Sequence, residues 1–294
     1  MKKRRLLIVG CGDVVRRVLP VLTRRWRTYA LVRGFDPALR AAGVTQIRGD
    51  LDAPATLRRL AGLAHAVLHS APPPAEGDGD PRTQRLLATL TRPGSLPRRI
   101  VYIGTTGVYG DCAGARVSEI RPLAATTARA RRRAAAERAL RAFGRRHARV
   151  SVLRAPGIYA ADRLPLERVR RGAPVLVAAE DVYTNHIHAE DLGAACAAAL
   201  ERGRPNRTYN ICDDSDIAMG DWFDKLADAF DLPRPPRASR AEARARLSPQ
   251  LLSFMGESRR LVNARMKREL RLRLRYPTID DGIAAALRNS PCSG

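Results

Sequence analysis

Lysine is almost missing from this chain: Lys2, Lys3, Lys225 and Lys267 stand against 49 arginines in 294 residues. That imbalance governs how the net charge of +24 is read. A surplus carried almost wholly by arginine, in an alanine-rich chain, points to compositional bias rather than to a surface selected for polyanions. Aromatic residues are equally scarce, at 5%. The densest basic stretch, Arg129 to Arg149, holds a single aromatic, Phe143, so it offers no interleaved platform on which bases could stack. Specific nucleic-acid binding is therefore not expected, and a solvated basic face is. The five cysteines (Cys11, Cys112, Cys196, Cys212, Cys292) are scattered and form no CxxC pair. This excludes a disulfide framework and a structural zinc site, and it fits a reduced, cytoplasmic protein. No apolar run approaches the roughly 20 residues that span a bilayer, so no membrane is expected as a partner. Met1–Arg5 followed by Leu6–Val9 and Cys11 imitates an export signal, but four apolar residues fall short of a signal core of roughly 7–15.

Apolar residues make up 45% of the chain, enough for one large domain or two unequal lobes. Up to about residue 158, short apolar runs alternate with amphipathic stretches. Strands are predicted at Leu6–Val9, Tyr29–Val32, Val44–Ile47, Ala66–His69, Ile100–Ile103 and Val150–Leu153. Helical stretches are predicted around Val14–Thr23, Pro37–Ala42, Pro54–Leu60, Arg82–Leu90 and Ala124–Arg146. Strand and helix in alternation imply βαβ units. The fold class expected is α/β, a Rossmann-type doubly wound parallel sheet with a smaller, mostly helical C-terminal lobe. Residues 1–158 and 182–212 are assigned to the sheet domain, 159–181 and 213–294 to the lobe. Ala71–Asp80, rich in proline, glycine and acids, reads as a solvated connector.

The strongest local signal is Leu6-Leu7-Ile8-Val9-Gly10-Cys11-Gly12-Asp13-Val14-Val15. A strand runs into Gly-x-Gly and a helix opens at once. Gly10 allows the tight turn, and Gly12 lets a pyrophosphate approach free N–H groups at the helix N-terminus. The motif therefore predicts a dinucleotide site formed by Gly10, Cys11, Gly12, Asp13 and Val14. Val15 replaces the third glycine of the fingerprint and is expected to push the helix outward. At the end of the second strand, Asp36 precedes Pro37 and reads as a helix cap, whereas Arg33 is placed to meet a ribose 2′-phosphate. NADP(H) is the cofactor expected, with NAD as the alternative.

Further segments complete a resemblance: Gly49-Asp50-Leu51-Asp52, Leu68-His69-Ser70-Ala71, Tyr102-Ile103-Gly104-Thr105-Thr106-Gly107-Val108-Tyr109-Gly110 and Leu153-Arg154-Ala155-Pro156-Gly157-Ile158-Tyr159. With Asn185–Leu192, Tyr209–Ile211 and the closing Asn263, Tyr276-Pro277 and Asp281-Gly282, they fall in family order over nearly the whole chain. Together they resemble the extended short-chain dehydrogenase/reductase superfamily, in its NAD-dependent epimerase/dehydratase branch. The resemblance implies that Asp50 and Leu51 contact adenine, and that Ser70 and Ala71 run beside the pyrophosphate and nicotinamide ribose. It places Pro156 and Ile158 near the nicotinamide. Thr105 would be the catalytic hydroxyl, with Tyr109 and Tyr159 facing the substrate cleft. A buried ring with a satisfied hydroxyl is at least as good a reading for Tyr159.

One departure concerns chemistry. The superfamily's Tyr-x-x-x-Lys pair is absent, since no tyrosine stands four residues before any lysine. Aligned on Glu137, its places fall to Arg129 and Arg133. Arg133 remains a candidate to hold ribose or phosphate, but a guanidinium at 129 stays charged and is no proton donor. His186 and His188 read as structural, Asp213-Asp214-x-Asp216 as a loop and cap, and Arg271–Arg275 as a half-exposed strand or the border of an anion site. No metal is expected. Two readings follow: an atypical NADP(H)-dependent oxidoreductase or epimerase-like enzyme using Thr105, with Tyr109 or a water as acid/base, on a small or nucleotide-linked, anionic carbonyl or hydroxyl substrate, or a catalytically silent NADP(H)-binding redox sensor or partner-binding protein.

Overall fold

A computed structural model describes residues 3–91 and 96–289; Cys292 lies outside the described residues. Seven parallel strands form the central sheet: β1 (Arg5–Val9), β2 (Arg27–Val32), β3 (Thr45–Arg48), β4 (Ala66–His69), β5 (Arg99–Thr105), β6 (Arg149–Ala155) and β7 (Arg207–Asn210). Their spatial order is 3-2-1-4-5-6-7. The six predicted strands all take part, and the seventh comes from the Tyr209-Asn210 segment. Among the helices are α1 (Asp13–Arg25), α2 (Pro37–Ala41), α3 (Pro81–Leu90), α4 (Ala128–Gly144), α5 (Ala189–Arg202), α6 (Met219–Ala229) and α7 (Ile279–Asn289). Pro54–Leu60 forms a 3₁₀ helix.

The first strand shows why the sheet lies between two layers. Leu6, Leu7, Ile8 and Val9 are all fully buried. Alternate side chains leave opposite faces of a strand. Leu6 and Ile8 join Val18, Leu19 and Leu22 of α1 and Leu192 and Ala195 of α5. Leu7 and Val9 join Leu57, Leu60, Leu86, Leu90 and Leu140 on the other face. Burial of each such leucine stabilises the fold by about 2 kcal/mol. Val15, at the third-glycine position, sits inside the first of these cores.

A third core gathers Tyr159, Val175, Trp222, Phe223, Leu226, Ile279 and Ile283 under the C-terminal lobe. Met266, Leu270 and Leu272 return to the sheet's own core. The segment Arg271–Arg275 is not a strand. Leu272 and Leu274 do pack inward in alternation, but no partner strand pairs with the segment, and Arg275 ties to Glu190 of α5 at 2.8 Å instead. Ala71–Asp80 is a loop as expected, but Asp80 is not solvated. It is buried and caps α3 by accepting the Thr83 N–H at 3.1 Å. Cys11, Cys112, Cys196 and Cys212 are free thiols. Among the described residues no helix is long and apolar enough to cross a membrane.

Candidate active site

Parallel strands bring all their C-terminal ends to one edge, and the ends of β1 and β4 are locked together there. The Val9 carbonyl accepts the N–H groups of Ser70 at 2.8 Å and Ala71 at 3.0 Å, while the Ser70 hydroxyl donates to the Gly10 carbonyl. Gly10 has φ +90°, and a Cβ there would lie 2.7 Å from Ala71 Cα, so only glycine fits. At Gly12, which starts α1, a Cβ would meet nothing within 4 Å. A closed turn beside an open helix N-terminus is the cradle that a pyrophosphate needs. A cavity of about 410 Å³ extends from it, walled by Gly10, Cys11, Gly12, Arg33, Asp50, Leu51 and Ala71. These residues fit a dinucleotide.

Several expected cofactor residues lie elsewhere. Asp13 turns away from the cavity and pairs with Arg17 at 2.9 Å and Arg163 at 2.8 Å, tying α1 to the Ala161–Arg163 turn. Val14 packs against the core beneath, and Ser70 supports the turn rather than lining the cavity. Arg133 is not on the wall either. Its guanidinium donates to the Tyr102 hydroxyl at 3.2 Å and the Ile103 carbonyl at 3.0 Å, which pins α4 onto β5. Asp36 caps α2 through the Ala38 N–H at 2.9 Å, as its Asp-Pro context predicted, and it also pairs with Arg16.

Beyond the adenosine end, a hollow of about 590 Å³ is walled by Arg33, Arg48, Arg58 and Arg59, with Asp50 as its acid. Arg33 is exposed. Sequence reading found only Arg33. Of the other three, Arg48 ends β3 and Arg58 and Arg59 lie in the 3₁₀ helix, and nothing in their spacing along the chain says that they converge. Arg82 was missed as well: it grips Asp52 through paired bonds of 3.0 and 2.5 Å and reaches the Pro72 carbonyl at 3.1 Å, closing the cavity's side.

A second cavity of about 650 Å³ lies between the sheet edge and the C-terminal lobe. Thr105, Arg129, Pro156, Ile158, Arg168, Tyr183, His186, Trp222, Glu257 and Arg259 are among its walls. Thr105 ends β5 and caps the next turn by accepting the Gly107 N–H at 3.2 Å. An oxygen used as acceptor keeps its own O–H free to donate. Arg129 stands on this wall; burial, then Arg133, hold its guanidinium below the ordinary value. Arg168 lies over the Phe223 ring at 4.2 Å, and burial lowers it too. Arg259 pairs with Glu257 at 2.9 Å.

Tyr109 does not face this cleft. It is fully buried, and its hydroxyl donates to Asn210 Oδ1 at 2.7 Å, with the Arg154 guanidinium 4.7 Å from its ring. Burial pushes the phenol up, against the pull of Arg154. Tyr159 is a core residue bonded to the Thr278 carbonyl at 3.3 Å and packed on Trp222 and both histidines. The tyrosine on the cleft wall is Tyr183, missed from sequence because it stands in a two-residue strand with no apolar run around it. His186 stacks on Trp222 at 4.5 Å, and burial lowers its pKa to about 3, so it is neutral near pH 7. His188 caps α5 by accepting the Glu190 N–H at 3.3 Å. Among the described residues no three His, Cys, Asp or Glu side chains are grouped to hold a metal ion.

Sheet order, glycine turn and edge cavities define a Rossmann-type nucleotide-binding protein. A model of the NAD dependent epimerase/dehydratase family matches residues 39–212, and the chain belongs to that family. The match begins after the β1–α1 turn, where Val15 departs from the fingerprint. A functionally unknown conserved protein from Silicibacter pomeroyi is 30% identical, with a TM-score of 0.80 over 98% of this chain and 99% of that one. UDP-glucose 4-epimerase from Thermotoga maritima is 16% identical, with a TM-score of 0.78 over 97% of each chain. dTDP-glucose 4,6-dehydratase from Streptomyces venezuelae is 20% identical, with a TM-score of 0.76 over 97% of this chain and 96% of that one. No curated protein gave a significant match.

Proposed function

We propose that the protein is an NADP(H)-dependent oxidoreductase or epimerase-like enzyme acting on an anionic carbonyl or hydroxyl substrate. The observation that carries this reading is the pairing of the glycine cradle with a cleft whose wall holds Thr105 beside Arg129, Arg168 and Arg259, against the single acid Glu257. Gly10, Gly12 and Ala71 would hold the pyrophosphate, Asp50 and Leu51 the adenine, and Pro156 and Ile158 would flank the nicotinamide. Four guanidiniums at the adenosine end favour a 2′-phosphate, which is why NADP(H) is preferred over NAD. When bound, the nicotinamide supplies or accepts a hydride. Thr105, already accepting from Gly107, donates its O–H to the substrate oxygen. Arg129 stabilises negative charge there without giving up a proton. Arg168 holds the substrate's anionic group.

A second reading is a silent NADP(H)-binding redox sensor. It is favoured by the burial of Tyr109, which removes the replacement acid that the sequence offered. Calorimetric titration with NADPH and NADH, followed by hydride exchange against a carbonyl panel, separates the two. The enzyme reading expects NADPH to bind at least tenfold more tightly, and turnover to fall by about 10²-fold in Thr105→Ala with Thr105→Ser largely restoring it. Tight NADPH binding without turnover selects the sensor. Binding of neither dinucleotide removes both.

A further inference from the structure

Parallel strands also begin together, and at that opposite edge lies another cavity, of about 620 Å³. Six arginines wall it: Arg4, Arg98, Arg99, Arg145, Arg146 and Arg149. The register explains the convergence. Ala66, Arg99 and Arg149 are neighbours across three adjacent strands. The Arg98 N–H donates to the His65 carbonyl at 2.8 Å, and the Arg149 N–H to the Arg98 carbonyl at 2.9 Å. Helix α4 ends at the same place and delivers Arg145 and Arg146 just past its C-terminus.

The lack of any acid on its wall sets this cavity apart from the other arginine hollow, which holds Asp50. Many arginines of the chain hold carboxylates, as Arg82 holds Asp52 and Arg207 holds Glu269 at 2.6 Å. Among the described residues none of the six is in an ion pair, and no acid lines the cavity. Glu201, the acid that Arg99 feels, is already held by Arg25 and Arg202. A helix C-terminus attracts cations, which accounts for Arg145 and Arg146. It does not account for Arg4, Arg98, Arg99 and Arg149, which stand at or just before the starts of three strands. Their mutual repulsion registers at Arg99, whose guanidinium is held low by burial first, then by Arg149 and Arg4.

We propose that this notch binds a compact oligophosphate, a small molecule carrying several phosphate groups. Guanidinium forks match phosphate oxygens in pairs, and several unpaired cations around one hollow call for several negative charges on one ligand. The volume is that of a small-molecule site. A nucleic acid is a poorer fit because, among the described residues, the cavity wall offers no exposed Phe, Tyr or Trp ring for stacking. Trp26 is 4% exposed with the Arg4 guanidinium 4.8 Å over its ring, and the His147 ring lies 4.9 Å from that of Phe143.

The test is calorimetric titration of the full chain with inorganic triphosphate. One triphosphate should bind per chain, and Arg98→Ser/Arg146→Ser/Arg149→Ser should weaken it at least tenfold, while NADPH affinity at the far edge is unchanged. All three replaced side chains are exposed, and the single variant Arg146→Glu provides a milder form with the same expected direction. Arg33→Ser/Arg48→Ser, in the other arginine hollow, should leave triphosphate binding intact. Absence of binding, or loss in the Arg33/Arg48 variant instead, would overturn the proposal. So would an oligonucleotide that binds more tightly than triphosphate and is lost in the same triple variant, since that would make the notch a nucleic-acid face.

Discussion

Thr105 and Tyr109 stand four residues apart, yet one reaches the cleft and the other is sealed in the core. The turn Thr106–Tyr109 is a 3₁₀ helix, whose tighter winding carries Tyr109 beneath the sheet edge, where Asn210 waits on β7. Thr105 was legible because it ends an apolar run and opens a glycine turn. Tyr109's direction was not, since its partner lies 101 residues further on. Asn210 Oδ1 takes its hydrogen bond from that phenol, while its amide donates to the Val117 and Val262 carbonyls. Tyr109→Phe should therefore strip a buried acceptor and lower stability by about 1–3 kcal/mol, read as a lower denaturant midpoint. Any turnover per folded molecule should stay the same. A large loss of turnover at unchanged stability would return Tyr109 to the catalytic role.

Among the elements, α4 shows what pattern reveals and what it conceals. Its alanine-rich stretch marks it as a helix in the sequence from about Ala124, and the structure starts it later, at the Thr127 cap, which accepts the Ala130 N–H at 3.2 Å. Which face it buries is hidden, because the buried positions include Glu137, 0% exposed and paired with Arg154 of β6 at 2.7 Å. A charge in a core breaks the apolar periodicity on which sequence reading depends. Arg154→Met should leave Glu137 charged and alone, lowering stability by about 3–5 kcal/mol in urea titration. Adding Glu137→Gln should recover much of that loss. The Arg271–Arg275 segment is the converse case: its alternation was legible, but the missing partner strand was not.

Across the whole molecule, the sheet domain was readable because buried parallel strands announce themselves as apolar runs, whereas the lobe rests on two- and three-residue strands and scattered contacts. Its pH response is set where the two meet. Burial pushes Asp213, with Asp214 and Asp191 adding to it, from 3.8 to about 7. A carboxyl raised in the fold binds its proton more tightly there than in the unfolded chain, so its contribution is complete at low pH and is lost as pH rises from about 4 to 7. Asp213→Asn should melt higher than the native chain at pH 8, with the gap closing below pH 5. His186 works the other way: lowered to about 3, it stabilises fully above pH 6.5 and less as acid is added. In the proposed NADP(H) complex the Arg133 guanidinium is spent on Tyr102 and Ile103 and does not grip the nicotinamide ribose, while four arginines stand at the opposite end. Most of the affinity should then be found in the fragment 2′,5′-ADP and almost none in nicotinamide mononucleotide. In that complex the ligand would be held by its handle, with Pro156 and Ile158 flanking its reactive head rather than gripping it.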